Sequence, residues 1–308
     1  MNIGRAVDAI RKKFGNGALI LLYHRIAHLE RDPQLLAVTP ERFDEHLEIL
    51  RRKANVMPLK ELVQKRDSGL PPRSVAITFD DGYADNLLFA KPLLERHELP
   101  ATVFVTSGFV GVDREFWWDE LDRILLNHQD AGWNVASGND DEPRHAEYRS
   151  LHATLRSSTE PQRLQALHDL QVRTNSGSSA RATHRALTPD QLRELAEGGL
   201  VEVGAHTVTH PVLASLSPAS QHQEIDTSKR KLEEWLGQTV HSFAYPYGGK
   251  RDYDKHSVEA VRNLGFSLAC SNFRGTVWPN TNRLELPRAL IRNWGGEEFE
   301  RMLDAEFA

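Results

Sequence analysis

Short apolar runs alternate along this chain with segments whose apolar residues recur at helical spacing. The runs that predict buried strands are residues 18–22, 74–79, 101–105 and 200–205, with another around Leu268. Predicted helices begin at Thr39-Pro40, before Leu87 with a restart at Pro92, at Thr188-Pro189, at Ser217-Pro218, near Val258 and at residue 297. Strands and helices in this alternation predict parallel βα units and therefore an α/β fold.

The alternation is lost between residues 111 and 186. Phe116-Trp117-Trp118-Asp119 begins an amphipathic stretch, and the polar residues from 127 to 185 predict helix only in pieces. We interpret this part as an insertion, at about 111–186, in a single domain spanning residues 1–308, and insertions of this kind often carry specificity. Paired tryptophans are more typical of packing than of a sugar-stacking platform, but Trp118 stays a candidate substrate contact.

Two groups of polar residues stand where predicted strands end. The run 74–79 stops in Asp80-Asp81-Gly82, and the run 200–205 is followed by His206 and His210. Histidines four residues apart fall on one side of a helical turn, and a carboxylate from another strand end would complete three ligands. Because the carboxyl ends of parallel strands share one rim, this pattern predicts a catalytic metal site rather than unrelated surface residues. Histidine and carboxylate suit zinc first, with other divalent metals as alternatives.

His24 follows the first predicted strand in Tyr23-His24-Arg25, which places a third histidine at the same rim. A capping or surface histidine is an equally good interpretation of this position alone.

Composition narrows the classes of partner. The 308 residues carry a net charge of −5, which lacks the basic excess of proteins that bind nucleic acid or anionic membranes. Cys270 is the one cysteine and lies in an apolar stretch, so it predicts a buried residue without a disulfide. We see neither a signal-peptide core nor a run long enough to span a bilayer, and we expect a cytoplasmic protein. The oligomeric state is left open.

Two motifs give a resemblance to a known family. Residues 78–83 (TFDDGY) together with residues 206–211 (HTVTHP) resemble the leading motifs of the polysaccharide deacetylases, the NodB-homology family of carbohydrate esterases, and the similarity extends through residues 99–105 and 245–248. The resemblance implies a distorted (β/α) barrel and metal-dependent removal of N-acetyl, less often O-acetyl, groups from sugars.

The same resemblance implies the roles of individual residues. It assigns the metal to Asp81, His206 and His210, and we expect a divalent ion there, zinc first and cobalt, nickel or manganese as alternatives. Asp80 would act as the general base towards a water on the metal, and the backbone N–H of Tyr247 would support the oxyanion.

The sequence departs from the family pattern at two places. The family often has an arginine, which orients the base, where Ala244 stands here, and a late Leu-x-His that supplies the acid, whereas this chain has Leu286-Pro287-Arg288. We therefore hypothesise that Arg288 replaces the arginine beside Asp80 and that His24 supplies the missing proton. A surface position for Arg288 is the alternative.

Three other functions use similar residues. A non-catalytic glycan-binding relative and a C–N hydrolase acting on a non-sugar amide both stay open. A two-histidine, one-carboxylate iron oxygenase is disfavoured, because Asp81 precedes His206 by a series of βα units. The expected substrates are an acetylated sugar, sugar nucleotide, lipid-linked sugar or polysaccharide, and a cytoplasmic location favours a sugar intermediate of glycan assembly.

Overall fold

The computed structural model describes residues 16–126, 143–177 and 179–307. Its strands are β1 Ala18–Tyr23, β2 Arg25–Ile26, β3 Ala37–Val38, β4 Asn55–Val56, β5 Ser74–Phe79, β6 Ala101–Val105, β7 Val201–Ala205, β8 Ser242–Ala244, β9 Leu268–Cys270 and β10 Ala289–Leu290. Its α-helices are α1 Pro40–Lys53, α2 Leu59–Lys65, α3 Lys91–His97, α4 Trp117–Leu126, α5 Pro143–Arg156, α6 Glu160–Thr174, α7 Pro189–Ala196, α8 Pro218–Leu236, α9 Lys255–Asn263 and α10 Gly296–Phe307.

The main sheet is parallel and curls into a distorted barrel. Its strand order is β10-β1-β5-β6-β7-β8-β9, with β4 paired to β5. The two edges meet through one segment, because Leu286 bridges Cys270 of β9 while Ala289 pairs with Leu21 of β1. The α/β prediction is therefore confirmed, and all strand ends of one polarity lie on one rim.

β5 is at the centre of this sheet, and its sequence explains why. All six residues are buried, β1 pairs with it over its full length, and β6 pairs with it on the other side. The Thr78 hydroxyl, which would otherwise be an unpaired polar group in the core, donates to the carbonyl of Leu21 at 2.7 Å. Residues that follow β5 consequently emerge in the middle of the rim.

Helix boundaries follow the predicted signals closely. Thr188 begins α7 with a capping box to Gln191, and Gly237 ends α8 in the left-handed conformation. The helix predicted around Pro92 begins as a π-helical turn, Asn86–Ala90, that continues into α3. Cys270 is buried as expected. Among the described residues, no helix is both long and apolar enough to cross a membrane.

The predicted insertion contributes α4, α5 and α6, although residues 127–142 lie outside the described ranges. These helices bury their own apolar cluster, which includes Trp117, Leu121, Tyr148 and Leu167. An ion pair connects its two ends, since Arg181 Nε contacts Oε1 of the buried Glu115 at 2.9 Å. In its described part, this segment forms three separate α-helices. Its being an insertion in a single domain stays a prediction.

Candidate active site

The metal-ligand candidates converge at the centre of the rim. Asp81 Oδ1 lies 3.4 Å from His210 Nε2 and 3.6 Å from His206 Nε2. One ligand atom from each residue lies within 4.8 Å of the other two, and all three residues are buried. Two nitrogens and one carboxylate oxygen in such a cluster form a donor set suited to a divalent first-row cation with open positions.

The two histidines converge through a loop and not through the helical turn that their spacing suggested. Residues 206–210 have no helical structure, and Thr207 and His210 have φ values of 66° and 54°. These left-handed residues reverse the chain, so that both rings reach the same point. The helical-turn expectation was wrong because a spacing of four residues says nothing about strained loops.

Glu224 of α8 supports this loop and was not predicted. Its Oε2 accepts hydrogen bonds from the backbone N–H groups of Val208 and Thr209, at 2.8 and 2.9 Å, and its Oε1 accepts one from the Thr209 hydroxyl. The Glu224 carboxylate thus satisfies three hydrogen-bond donors of a tight loop whose backbone N–H groups have no partner in a β-sheet. In the sequence, Glu224 is one of many acidic residues on a polar helix, so no signal distinguishes it.

The ring nitrogens of His206 have distinct partners. Nδ1 lies 2.8 Å from the carbonyl oxygen of Ala244, to which it can only donate, so Nε2 carries the lone pair that faces Asp81. Burial lowers the pKa of His206, and it lowers the pKa of His210 further with the help of the neighbouring His206 and Arg163. Both rings are therefore neutral, which is the form that binds a metal.

Asp81 is held in a conformation that aspartate seldom adopts. Its φ is 74°, and Gly82 follows at 82°, where an added Cβ would lie 2.9 Å from Val105 Cγ1. Burial, with the nearby carboxylates of Asp80 and Asp119, raises the pKa of Asp81 well above its usual range. A cation between Asp81 and the histidines would offset this cost, so the residues present fit a divalent metal.

Asp80 has a separate partner. Arg288 donates from Nη1 to Asp80 Oδ1 and from Nη2 to Asp80 Oδ2, both at 2.7 Å, and its Nε donates to the Ser271 carbonyl. Burial would raise the pKa of Asp80, but the charge of Arg288 outweighs it and lowers the pKa. Arg288 is fully buried, which excludes the surface alternative.

His24 is on the same rim, as its place after β1 indicated. It interacts electrostatically with Asp80, Arg288 and His206, and its backbone carbonyl accepts a hydrogen bond from Asn86 Nδ2 at 2.9 Å. Burial lowers the pKa of His24 to about 4, with Arg288 adding to that effect and Asp80 opposing it. The imidazole is therefore neutral near pH 7 in the free protein.

Tyr247 and Trp118 both contact His210. The Tyr247 ring lies edge-on to His210 with centroids 4.6 Å apart, and its φ of 60° belongs to the left-handed region. Trp118 lies 4.9 Å from the same ring but is stacked on Phe116 and only 5% exposed. So little exposure leaves no open face for a sugar, and Trp118 packs beneath the site, as paired tryptophans usually do.

Helices α5 and α6 reach the site through two arginines that the sequence did not single out. Arg156 of α5 is above the Tyr247 ring at 4.3 Å and contacts Asp252 Oδ1 at 2.6 Å. Arg163 of α6 is buried and donates to the carbonyl of Thr209 at 3.4 Å, next to His210. These two helices therefore contact both loops that surround the metal-ligand candidates.

A family model described as polysaccharide deacetylase matches residues 67–269 of the 308-residue chain. The chain belongs to the polysaccharide deacetylase family. The matched range contains Asp80, Asp81 and both histidines, and stops before Arg288. Relatives that match this chain are named as polysaccharide deacetylases, so the interpretation of the chain as a deacetylase is confirmed.

Relatives of known name and solved structures agree with this family. The poly-β-1,6-N-acetyl-D-glucosamine N-deacetylase of Staphylococcus aureus is 23% identical over 98% of this chain and 88% of its own. The structure of IcaB from Ammonifex degensii has a TM-score of 0.63 at 21% identity, covering 96% of this chain and 99% of that one. The structure of the Streptococcus pyogenes deacetylase PplD, in complex with acetate, has a TM-score of 0.62 at 20% identity, covering 93% of this chain and 98% of that one. These structures confirm the deacetylase barrel.

Proposed function

We propose that this polysaccharide deacetylase is a metal-dependent hydrolase that removes N-acetyl groups from a glycan. The observation that carries the proposal is the division between adjacent aspartates: Asp81 faces His206 and His210, while Asp80 is held by Arg288. The Asp81 carboxylate can therefore bind a cation, while the Asp80 carboxylate can accept a proton.

Asp81, His206 and His210 would hold the cation, with zinc the first candidate and cobalt, nickel or manganese the alternatives. Bound there, it would polarise the acetamide carbonyl and lower the pKa of water. The chain supplies the orientation, because Ala244 fixes the His206 tautomer and Glu224 fixes the loop that carries His210.

Asp80 would act as the general base. It accepts the proton of the attacking water as the new C–O bond forms, and Arg288 keeps it ionised beforehand and fixes both of its oxygens. The backbone N–H of Tyr247 would donate to the oxyanion that develops on the carbonyl. Cleavage of the C–N bond then gives acetate and a free amine, whose nitrogen needs one proton.

His24 is the residue we propose for that proton. It is on the rim within electrostatic reach of Asp80, but its pKa of about 4 means that it begins the cycle neutral. It must therefore accept a proton before it can donate one to the amine. Asp80 carries the proton just taken from the water and would be the source. A His24→Ala variant with near-normal turnover and pH profile would eliminate this role.

The substrate class follows from the relatives. The S. aureus relative is named for poly-β-1,6-N-acetyl-D-glucosamine, and we propose a β-linked N-acetylglucosamine polymer as the substrate here. Nucleotide- or lipid-linked sugars, and the cytoplasmic location from which we expected them, stay predictions from the sequence. O-acetyl esters are the less favoured substrate.

A substrate screen tests the proposal. Protein stripped with chelator and reloaded with Zn²⁺, Co²⁺, Ni²⁺ or Mn²⁺ is incubated with N-acetylglucosamine oligomers, sugar nucleotides, O-acetylated sugars and simple non-sugar amides, and acetate is measured. We expect release from the oligomers, matched by free amine, only after reloading. Preferential release from non-sugar amides would instead indicate a different C–N hydrolase.

A further inference from the structure

The connection between β9 and β10 crosses one flank of the barrel without forming a helix. Residues 271–288, all of which the structure describes, contain turns and bends but no helix. A cleft of about 930 Å³ lies between this connection and α9. That volume falls within the range of ~300–1,000 Å³ typical of ligand-binding clefts.

The walls of the cleft combine apolar surface with hydrogen-bonding groups. Phe273, Val258 and Pro287 provide the apolar part. The polar part includes hydroxyl and amide groups and six charged side chains, Lys250, Lys255, Arg262, Asp254, Glu259 and Glu285. Three cations and three carboxylates balance one another, so the cleft has no excess charge to attract a polyanion.

Two of the carboxylates already have protein partners. Asp254 accepts the backbone N–H groups of His256 and Ser257 at the start of α9. Glu285 accepts hydrogen bonds from the Tyr253 hydroxyl and from Asn282 Nδ2. Aromatic surface next to such fixed polar groups suits a neutral, hydroxyl-rich ligand, whose rings have apolar faces and polar edges.

Two of the loops that line the cleft also carry residues of the proposed catalytic site. Lys250, whose Nζ is above the Phe273 ring at 5.4 Å, follows Tyr247 by three positions. The carbonyl of Phe273 accepts the backbone N–H of Arg288, the residue that holds Asp80. A chain that leaves the active site across these two loops would enter the cleft.

We propose that this cleft, between α9 and residues 271–288, is an accessory binding site for a distant part of the same neutral glycan chain that is deacetylated at the rim. The proposal rests on the function proposed above and extends it, because it makes the enzyme selective for long substrates. Affinity gained in the cleft keeps the polymer on the enzyme between successive attacks.

The experiment compares kcat/KM for an N-acetylglucosamine hexamer and dimer in the zinc-loaded protein. We expect Phe273→Ala and, separately, Lys250→Gln to lower the hexamer-to-dimer ratio at least about fivefold, since only a long oligomer could occupy the active site and the cleft together. Phe89→Ala is the matched control, because Phe89 is an exposed phenylalanine on a different flank, outside the cleft lining. Phe89→Ala should leave kcat/KM unchanged for both the hexamer and the dimer.

The outcomes separate the two proposals. An unchanged ratio in both variants, with oligomers still deacetylated, overturns the accessory site and leaves the proposed function intact. If the wild type releases no acetate from any oligomer, the proposed function fails, and calorimetric titration of the hexamer tests the cleft alone. A dissociation constant that Phe273→Ala leaves unchanged, or tighter binding of polyphosphate than of the hexamer, overturns the accessory site.

Discussion

Arg288 donates a hydrogen bond to each carboxylate oxygen of Asp80, both at 2.7 Å, in the buried part of the rim. The two residues are 208 positions apart, and the Thr78 hydroxyl lies 3.3 Å from the same guanidinium. This pairing fixes the orientation of the proposed base, and the charge of Arg288 lowers the pKa of its carboxyl.

Replacing Arg288 tests that relationship. Lys offers one ammonium in place of a planar fork, so we expect Arg288→Lys to lower kcat/KM by about 10- to 100-fold. Arg288→Met leaves the carboxylate buried and unpaired and should lower the free energy of unfolding by ~3–5 kcal/mol. Urea unfolding and acetate-release kinetics measure the two effects. Arg283→Lys, an exposed arginine in the same connection, is the control, and Arg288→Lys activity within twofold of the wild type would remove Arg288 from the mechanism.

The pKa of Asp81 is raised, and the residue lies among candidate metal ligands. Asp81→Asn should therefore raise the stability of the metal-free protein but abolish metal binding. Without metal, the amide avoids the cost of an ionised buried carboxylate, so the variant should unfold at a higher temperature than the wild type near pH 7.5. With metal, it should bind less than a tenth of an equivalent and gain nothing in Tm. Metal analysis and calorimetry on chelated and reloaded protein provide the test; a full equivalent in Asp81→Asn contradicts the ligand assignment.

Glu224 contacts the 206–210 loop but not the predicted ion. Glu224→Gln keeps the shape of the side chain while turning one acceptor into a donor that faces backbone N–H groups. We expect zinc affinity to fall by about 10- to 100-fold, as is typical when support for a ligand is lost. Competition with a chromogenic chelator measures it. Glu234→Gln, an exposed change on the same helix, should have no effect, and equal affinities for both variants would show that the loop needs no such support.

Asp119 gives a pH-dependent prediction. Burial raises its pKa to about 7, although Arg25 and the hydrogen bond from Tyr83 act in the opposite direction. The unfolded carboxyl titrates near 4, so the folded state binds more protons between about pH 4 and pH 7, and stability from this group is lost as the pH rises through that window. Asp119→Asn should therefore be more stable than the wild type at about pH 8, by ~1–3 kcal/mol, with a smaller difference at about pH 5.

Urea unfolding at the two pH values measures the difference. Asp113→Asn, at an exposed aspartate in the loop before α4, is the matched control for the loss of one carboxylate. A constant difference between Asp119→Asn and the wild type would mean that Asp119 is ionised throughout.

The strand ends could be predicted from the sequence because their signals are local. An apolar run followed by Asp80-Asp81-Gly82 indicates a buried strand that stops at a site, and β5 does so. Capping residues such as Thr188 and Ser217 likewise act within one turn, and the helices begin where they predict. Parallel pairing then brings His24, Asp80 and His206 to one rim.

The rest depends on contacts between residues far apart in the chain. No local pattern distinguishes Glu224 from other helix surface residues, or shows that Arg156 would cover Tyr247. The left-handed conformations of Thr207 and His210 persist only because surrounding contacts stabilise them, and so their spacing suggested a helix that is absent. Arg288 could be named as a candidate from the missing arginine, but only the closing segment of the barrel places it beside Asp80.

The central claim is that adjacent aspartates have different tasks, and Asp80→Asn tests it most directly. Metal content and acetate release from an N-acetylglucosamine oligomer are measured on the same zinc-loaded sample and compared with the wild type. We predict one bound equivalent of zinc, because Asp81, His206 and His210 are untouched, together with turnover lowered by at least about 100-fold. Wild-type turnover in Asp80→Asn, or loss of the zinc itself, would contradict the account.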